Sequence, residues 1–192
     1  MKKNKAIILP YKRKRQGKTY YKNRLKLLLS NRIRFAVRKS LKGLQVSLIK
    51  YDAKGDKVLL TVNSKSLDKI GWKGDNGNLP SAYLTGMLAG KKAISMGIND
   101  AVLDLGFNKS TKGSKLYASL AGAVDAGLNI PFNSGIIPAK ERLAGEHIAK
   151  YALELKKDAL RYERQFNNYL KRGLNPENIT KHFNEIKEKI NG

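Results

Sequence analysis

Residues 32–39 read Arg-Ile-Arg-Phe-Ala-Val-Arg-Lys. Ile33, Phe35 and Val37 alternate with Arg32, Arg34 and Arg38, a period of two that puts apolar side chains on one face of a strand and guanidinium groups on the other. This run predicts a sheet with one side on a core and the other side charged. Downstream, residues 44–51 predict a second strand, Asp52-Ala53-Lys54-Gly55-Asp56 a turn and Val58–Val62 a third strand, which together make an antiparallel meander. Residues 63–80, with Gly71, Gly74, Gly77 and Pro80 around Trp72, predict an irregular loop. Ser81 is placed to cap a helix running to about Met96. Ala101–Leu105 predicts a short buried strand, Gly106–Gly113 a polar loop, and Ser114 to about Ala126 a further helix. Strand, helix, strand, helix is an α/β order, and right-handed crossovers put these helices on one face of a mixed sheet.

Upstream, residues 1–18 show no sustained period and are strongly basic, an arm without a core of its own. Tyr21, Leu25, Leu28 and Leu29 then share one face of a short amphipathic helix whose other face carries Lys18, Lys22 and Lys26. Toward the other end, residues 139–171 predict one long or two short helices, with Ile148, Tyr151, Ala152, Leu155 and Ala159 at helical spacing. Gly173 is a stop, and Asn175-Pro176-Glu177 starts a last helix with a side-chain cap and Pro at its first position. Ile179, Phe183, Ile186 and Ile190 line one side of it, a face that either packs on the domain or meets a neighbouring protein. The expected division is a basic extension over 1–30, an α/β core of mixed sheet and packed helices over 31–137, and a helical extension over 138–192.

Charge narrows the function. Seventeen Lys or Arg residues precede the first acidic residue, Asp52, and hold +17 of the formal +24. Such a block repels itself and calls for a polyanion, because a repeating phosphate backbone releases counterions as each cation lands. Residues 138–192 are less polarised, with twelve basic and eight acidic side chains. The absence of cysteine excludes disulfides, thiolate-ligated zinc and thiol chemistry. Ala6–Leu9 is too short for a signal-peptide apolar region, and no run reaches membrane-spanning length, so the chain reads as soluble and intracellular.

Catalysis finds little support. Gly86-Met87-Leu88-Ala89-Gly90-Lys91-Lys92 is one residue short of a phosphate loop and lacks the hydroxyl residue that meets magnesium. Gly86 and Gly90 are better read as places where a helix approaches a sheet or another helix closely. Asp100, Asp104 and Asp125 raise the alternative of a metal-dependent nuclease or RNA-processing enzyme on the α/β core. They show no convergence, however, and a cap or helix-end hydrogen bond accounts for each. His147 reads as a packed or capping residue. No catalytic residue, metal or cofactor is expected.

The basic segment carries the signal. Tyr11, Tyr20 and Tyr21 interleave with Lys12, Arg13, Lys14, Arg15, Lys18, Lys22 and Arg24, which permits base stacking together with phosphate contact. The arm lacks the bulky apolar face that enters lipid. It also lacks a zinc finger, a basic zipper or a recognition helix, so neither membrane nor DNA is an expected partner. Structured RNA is, with a general nucleic-acid chaperone as a third reading. The Lys109–Lys115 loop offers backbone amides and three lysines to phosphate, or is a solvated connection.

Several strings are similar, in order, to the archaeal and eukaryotic type of large-subunit ribosomal protein eighteen, the family that binds 5S ribosomal RNA. They are Gly17-Lys18-Thr19-Tyr20-Tyr21-Lys22-Asn23-Arg24-Leu25-Lys26-Leu27-Leu28, Arg34–Ser40, Ala82–Ala93, Leu103-Asp104-Leu105-Gly106, Lys112-Gly113-Ser114, Gly122–Leu128 and Arg142–Ile148. The resemblance covers about residues 10–155; Asn23 departs from a position that is basic in many relatives, and the segment after about residue 158 matches no string. It implies an α/β domain with a basic amino-terminal extension and no enzymatic activity. It also implies a cytoplasmic place in the central protuberance of the large subunit, where the family joins 5S RNA to large-subunit RNA beside other proteins of the 5S particle. Carried onto this chain, RNA contacts are expected at Lys12, Arg13, Arg15, Lys18, Thr19, Tyr20, Tyr21 and Arg24. They continue on Arg32, Arg34, Arg38, Lys39 and Ser40, around Gly71, Trp72 and Lys73, and at Lys109, Lys112 and Lys115.

Overall fold

The alternation at residues 32–39 becomes strand β1 (Ile33–Lys39), the axis of a four-stranded mixed sheet. This computed structural model describes residues 9–192; the basic residues Lys2, Lys3 and Lys5 of the expected arm, with Ala6–Ile8, lie outside the described residues. One edge of β1 pairs antiparallel with β2 (Leu44–Lys50), which pairs antiparallel with β3 (Lys57–Asn63). The other edge pairs in parallel with β4 (Ala101–Asp104), giving the order β3-β2-β1-β4. The meander and the parallel crossover are both as expected. Phe35, Val37, Leu44, Val46, Leu48 and Val62 are buried in the core. The register sets Ala36 beside Ser47 and Asp104 on the opposite face, where the Ser47 and Thr61 hydroxyls lie 3.1 Å apart.

Helices α3 (Leu79–Ser95) and α4 (Lys115–Asp125) cover the apolar side. The cap of α3 is a correction: Asn78 accepts a hydrogen bond from the Ser81 amide at 2.9 Å, and Pro80 occupies the first turn. Ser81 instead sits inside the helix with its hydroxyl donating back to Asn78 O, so the start falls three residues earlier than expected. The two helices meet backbone to backbone. A Cβ on Gly86 would sit 1.8 Å from Ser119 O, and one on Gly122 would sit 2.0 Å from Tyr83 O. The glycines of the failed phosphate loop thus serve helix packing.

Residues 63–80 are not uniformly irregular. Ser64–Ile70 forms a 3₁₀ segment that ends at Gly71 with φ of 99°. Tertiary anchoring overrides the loop signal here: Leu67 is fully buried, and the buried Ser64 hydroxyl accepts from the Leu44 amide at 3.0 Å.

Beyond Pro138 the chain makes α5 (Lys140–Ala144), α6 (Glu146–Leu155) and α7 (Ala159–Lys171), one more piece than expected. Gly145, at φ 91°, breaks the first pair, and the Asp158 side chain caps α7 at the Arg161 amide. Helix α8 (Ile179–Asn191) packs its apolar stripe on the domain. Ile179, Phe183, Ile186 and Ile190 join the same core as α3 and the sheet, with the Tyr83 and Phe183 rings 5.4 Å apart.

The extension holds α1 (Lys12–Arg15) and α2 (Tyr21–Leu28). The apolar face expected on α2 does not find a core: Leu25 is 63% exposed and Leu29 77%. Polar contacts hold this helix instead.

Candidate nucleic-acid interface

A row of alternating charges fastens the extension to the sheet. Arg24 on α2 grips Asp56, in the turn before β3, through both guanidinium nitrogens, one at 2.8 Å. Asp56 also receives Arg34 of β1, whose second nitrogen reaches Asp104 of β4 at 3.1 Å. Arg38 closes the row, donating to the Asp104 carbonyl at 2.7 Å and lying 3.3 Å from its carboxylate. Hydrogen bonding to Arg24 holds the Asp56 carboxyl below the usual carboxylate range against its partial burial, with Arg34 adding to the effect. The same bond raises the Arg24 guanidinium.

This row corrects the outward guanidinium face expected for β1. Arg34 does alternate away from Phe35, but it is only 4% exposed because Asp56 and Asp104 close over it. It therefore organises the surface rather than forming it. Arg32 is exposed, Arg38 is half-exposed, and Lys39 and Ser40 are exposed at the end of β1.

On the extension, Lys12, Arg13, Arg15 and Lys18 are all exposed. No residue of α1 is buried, and all four of its residues are cationic. Arg13 donates to Thr19 Oγ1 at 2.9 Å, which folds the connection back toward α2. The Tyr21 ring packs 5.1 Å from Tyr11, and the Tyr20 ring 5.7 Å from Phe107. Both contacts present aromatic surface beside cations, the combination that grips single-stranded segments.

The remaining expected residues divide between surface and scaffold. Lys109 and Lys112 are exposed in the loop before α4. Lys115 is half-buried, donates to the carbonyls of Ser40 and Gly77 at 3.2 and 3.3 Å, and is pushed down by burial and by neighbouring Lys39. It clamps the β1–β2 hairpin to the loop before α3. Gly71 and Lys73 are exposed. Trp72 between them is buried at 2% and stacks on His182, with ring centroids 5.2 Å apart, so its ring is not at the surface where it was expected. His182 Nε2 accepts from the Lys73 amide at 3.0 Å.

The carboxylates that raised a nuclease reading are all committed. Asp104 binds Arg34 and Arg38 and accepts from the Gly106 amide at 2.8 Å. Asp125 accepts from the Tyr83 hydroxyl, and Asp100 from Asn129, both at 2.6 Å. Among the described residues, no group of three or more His, Asp or Glu is placed to hold a metal ion, and no helix is long and apolar enough to cross a membrane. His147 sits in the first turn of α6 with its Nδ1 buried and unpartnered, and burial lowers its basicity.

Asp56, in the expected turn, and Phe107, in the expected polar loop, carry contacts that local sequence pattern does not mark. The available signal for Asp56 was its rarity: it is one of two acidic residues in the first 67, amid a basic surround.

Two comparisons with known proteins bear on the family of the chain. The family described as ribosomal large subunit proteins 60S L5, and 50S L18 matches residues 6–100 and 96–133. Large ribosomal subunit protein uL18 of Methanococcus maripaludis is 49% identical over 187 residues, covering 97% of this chain and 97% of that protein. On the extent of both matches, the chain belongs to the uL18 family of large ribosomal subunit proteins, of the archaeal type.

Proposed function

We propose that this protein binds 5S ribosomal RNA and joins it to large-subunit RNA in the central protuberance, next to other proteins of the 5S particle. Its family makes it a structural constituent of the large subunit of the cytoplasmic ribosome, with ribosomal RNA as its partner. The observation that carries the finer reading is the docked extension. Exposed Lys12, Arg13, Arg15 and Lys18, with the paired Tyr11 and Tyr21 rings, are held against the α/β core by Arg24 and Asp56. A scaffold for folded RNA requires phosphate neutralisation at fixed positions and aromatic surface for unpaired bases, with no turnover. We assign RNA contact to Lys12, Arg13, Arg15, Lys18, Thr19, Tyr20, Tyr21, Arg32, Arg38, Lys39, Ser40, Lys73, Lys109 and Lys112. Arg24, Arg34, Trp72 and Lys115 position them, and Gly71 provides the turn. We assign no catalytic step.

The test is equilibrium binding to homologous 5S RNA at near-physiological salt, with unrelated structured RNA of equal length and duplex DNA as competitors. The function predicts a strong preference for 5S RNA. Removing residues 1–20, which spares the Arg24–Asp56 contact, weakens that binding and flattens its salt dependence while the core still unfolds cooperatively. Indifference among the three nucleic acids, or undiminished affinity after the deletion, refutes it.

A further inference from the structure

A second basic feature lies at the other end of β1. A cleft of about 740 Å³ opens between the β1–β2 hairpin (residues 40–43), the start of the 3₁₀ segment and the end of α7. That volume falls in the range of small-ligand sites, large enough for a nucleotide. Lys39, Lys42 and Lys65 line it, are exposed, and enter none of the ion pairs among the described residues. Two exposed carboxylates also stand in its wall. Asp68 accepts from Asn76 at 3.1 Å and faces Arg172 at 3.7 Å, while Asp75 accepts from the Gly77 amide at 2.6 Å. Arg38, Lys39, Lys42, Lys65 and Arg172 outnumber these two carboxylates, so the cleft presents net positive charge.

Leu41 at the tip of the hairpin is 99% exposed and also lines this cleft. A lone exposed leucine is ordinary on a protein surface. Set beside Lys42 at the mouth of a cationic cleft, it supplies what phosphate contacts lack, an apolar surface for the face of an unstacked base.

We propose that this cleft seats an unpaired stretch of RNA, with phosphates on Lys42 and Lys65 and one base against Leu41. The inference rests on the RNA-binding reading above and extends the interface to the wall built by Arg172, in the segment that matched no family string. An acidic protein segment is the competing occupant. RNA is favoured because Arg38, Lys39 and Ser40, assigned to RNA above, line this same cleft, so one ligand runs from that surface into it.

Salt dependence separates the contacts. Each phosphate neutralised contributes about 0.7–0.9 to the slope of log affinity against log salt. Lys42→Ala/Lys65→Ala in the full chain is expected to lower that slope by about 1.4–1.8. Leu41→Ala is expected to weaken binding roughly tenfold, the loss of a few methylene-equivalents of apolar contact, with the slope unchanged. The control Lys157→Ala/Lys181→Ala removes the same charge from exposed positions that do not line the cleft and leaves the slope near wild type. All five substituted positions are exposed, so unchanged thermal unfolding confirms intact folding. An equal fall in slope for the control overturns the proposal. So do isotherms for all variants that superimpose on wild type, the result for an acidic protein occupant. Running the slopes on both 5S RNA and unrelated RNA keeps the two readings apart: preference between them tests the function, and the slopes test the cleft.

Discussion

Replacing Arg34 by methionine separates a folding role from an RNA contact. Methionine keeps an apolar stem of similar length and deletes the guanidinium. The Arg34 side chain is 5% exposed and bonded to Asp56 and Asp104, the latter 9% exposed. Removing one partner of a fully buried ion pair costs about 3–5 kcal/mol, because the other charge is left without compensation. Here each carboxylate keeps a second partner: Asp104 retains Arg38 at 3.3 Å and the Gly106 amide, and Asp56 retains Arg24 at 2.8 Å. The expected loss is therefore about 2–3 kcal/mol, below the full penalty. For a protein of this size each kcal/mol lowers the unfolding midpoint by about 2–4 °C, so Arg34→Met should unfold roughly 5–10 °C earlier. Thermal unfolding at neutral pH, followed by circular dichroism, measures that shift. The salt slope of RNA binding, taken where the variant is folded, should stay at the wild-type value. An unchanged midpoint with a slope lower by about 0.7–0.9 would make Arg34 a phosphate contact and refute the reasoning.

Gly86→Ala should cost at least about 3 kcal/mol, since its Cβ would stand 1.8 Å from Ser119 O and force α3 and α4 apart; an unaltered urea midpoint would show that the helices do not meet there. Arg24→Ala should expose α2 to proteases within residues 21–28 while leaving the core midpoint within about 1 kcal/mol, as expected for a partly exposed pair; cleavage at the wild-type rate would mean the helix is held by something else. His182 is held below its ordinary value of 6.5, by burial first and by Lys73 and Lys189, with Glu185 opposing. Its folded form must stay neutral at Nε2 to accept the Lys73 amide. The stability this contributes is complete above about pH 6.5 and is lost as pH falls from there through the depressed folded value. Trp72, the sole tryptophan, stacks on this ring and reports the change: Trp72 emission should fall between pH 7 and 5 in the wild type and stay flat in His182→Gln, while stability should fall less in the variant, where only His147 of the two histidines remains to be protonated against burial. A flat wild-type profile would remove His182 from the contact.

The strands were legible because alternation is a local property: β1 and β3 begin and end within about a residue or two of where Ile33–Arg38 and Val58–Val62 put them. The glycine contact between α3 and α4 was legible for a similar reason, since small residues one helical turn apart mark one face. Arg34 was not. Parity puts it opposite Phe35, but what covers that face depends on Asp56 and Asp104, which are 22 and 70 residues away. Trp72 failed likewise, because its cover is His182 of α8. The apolar stripe of α8 was visible in sequence, though its destination was not, since the facing Tyr83 lies on a helix near mid-chain. The surface was read from charge, and charge alone does not say which cations are already spent on carboxylates.

The burial of α8 sets an order of events during synthesis. Chains emerge amino end first, at roughly 5–20 residues per second. Lys12 to Arg24 are therefore outside and able to meet RNA before Ile179, Phe183, Ile186 and Ile190, four buried members of the core, have been joined to the chain. For several seconds at those rates the polycation is present without the finished body that presents it. Asp56 and Asp104, the carboxylates that hold Arg24, Arg34 and Arg38 in the folded chain, are made in between, so the partners of these three cations exist before the last helix does.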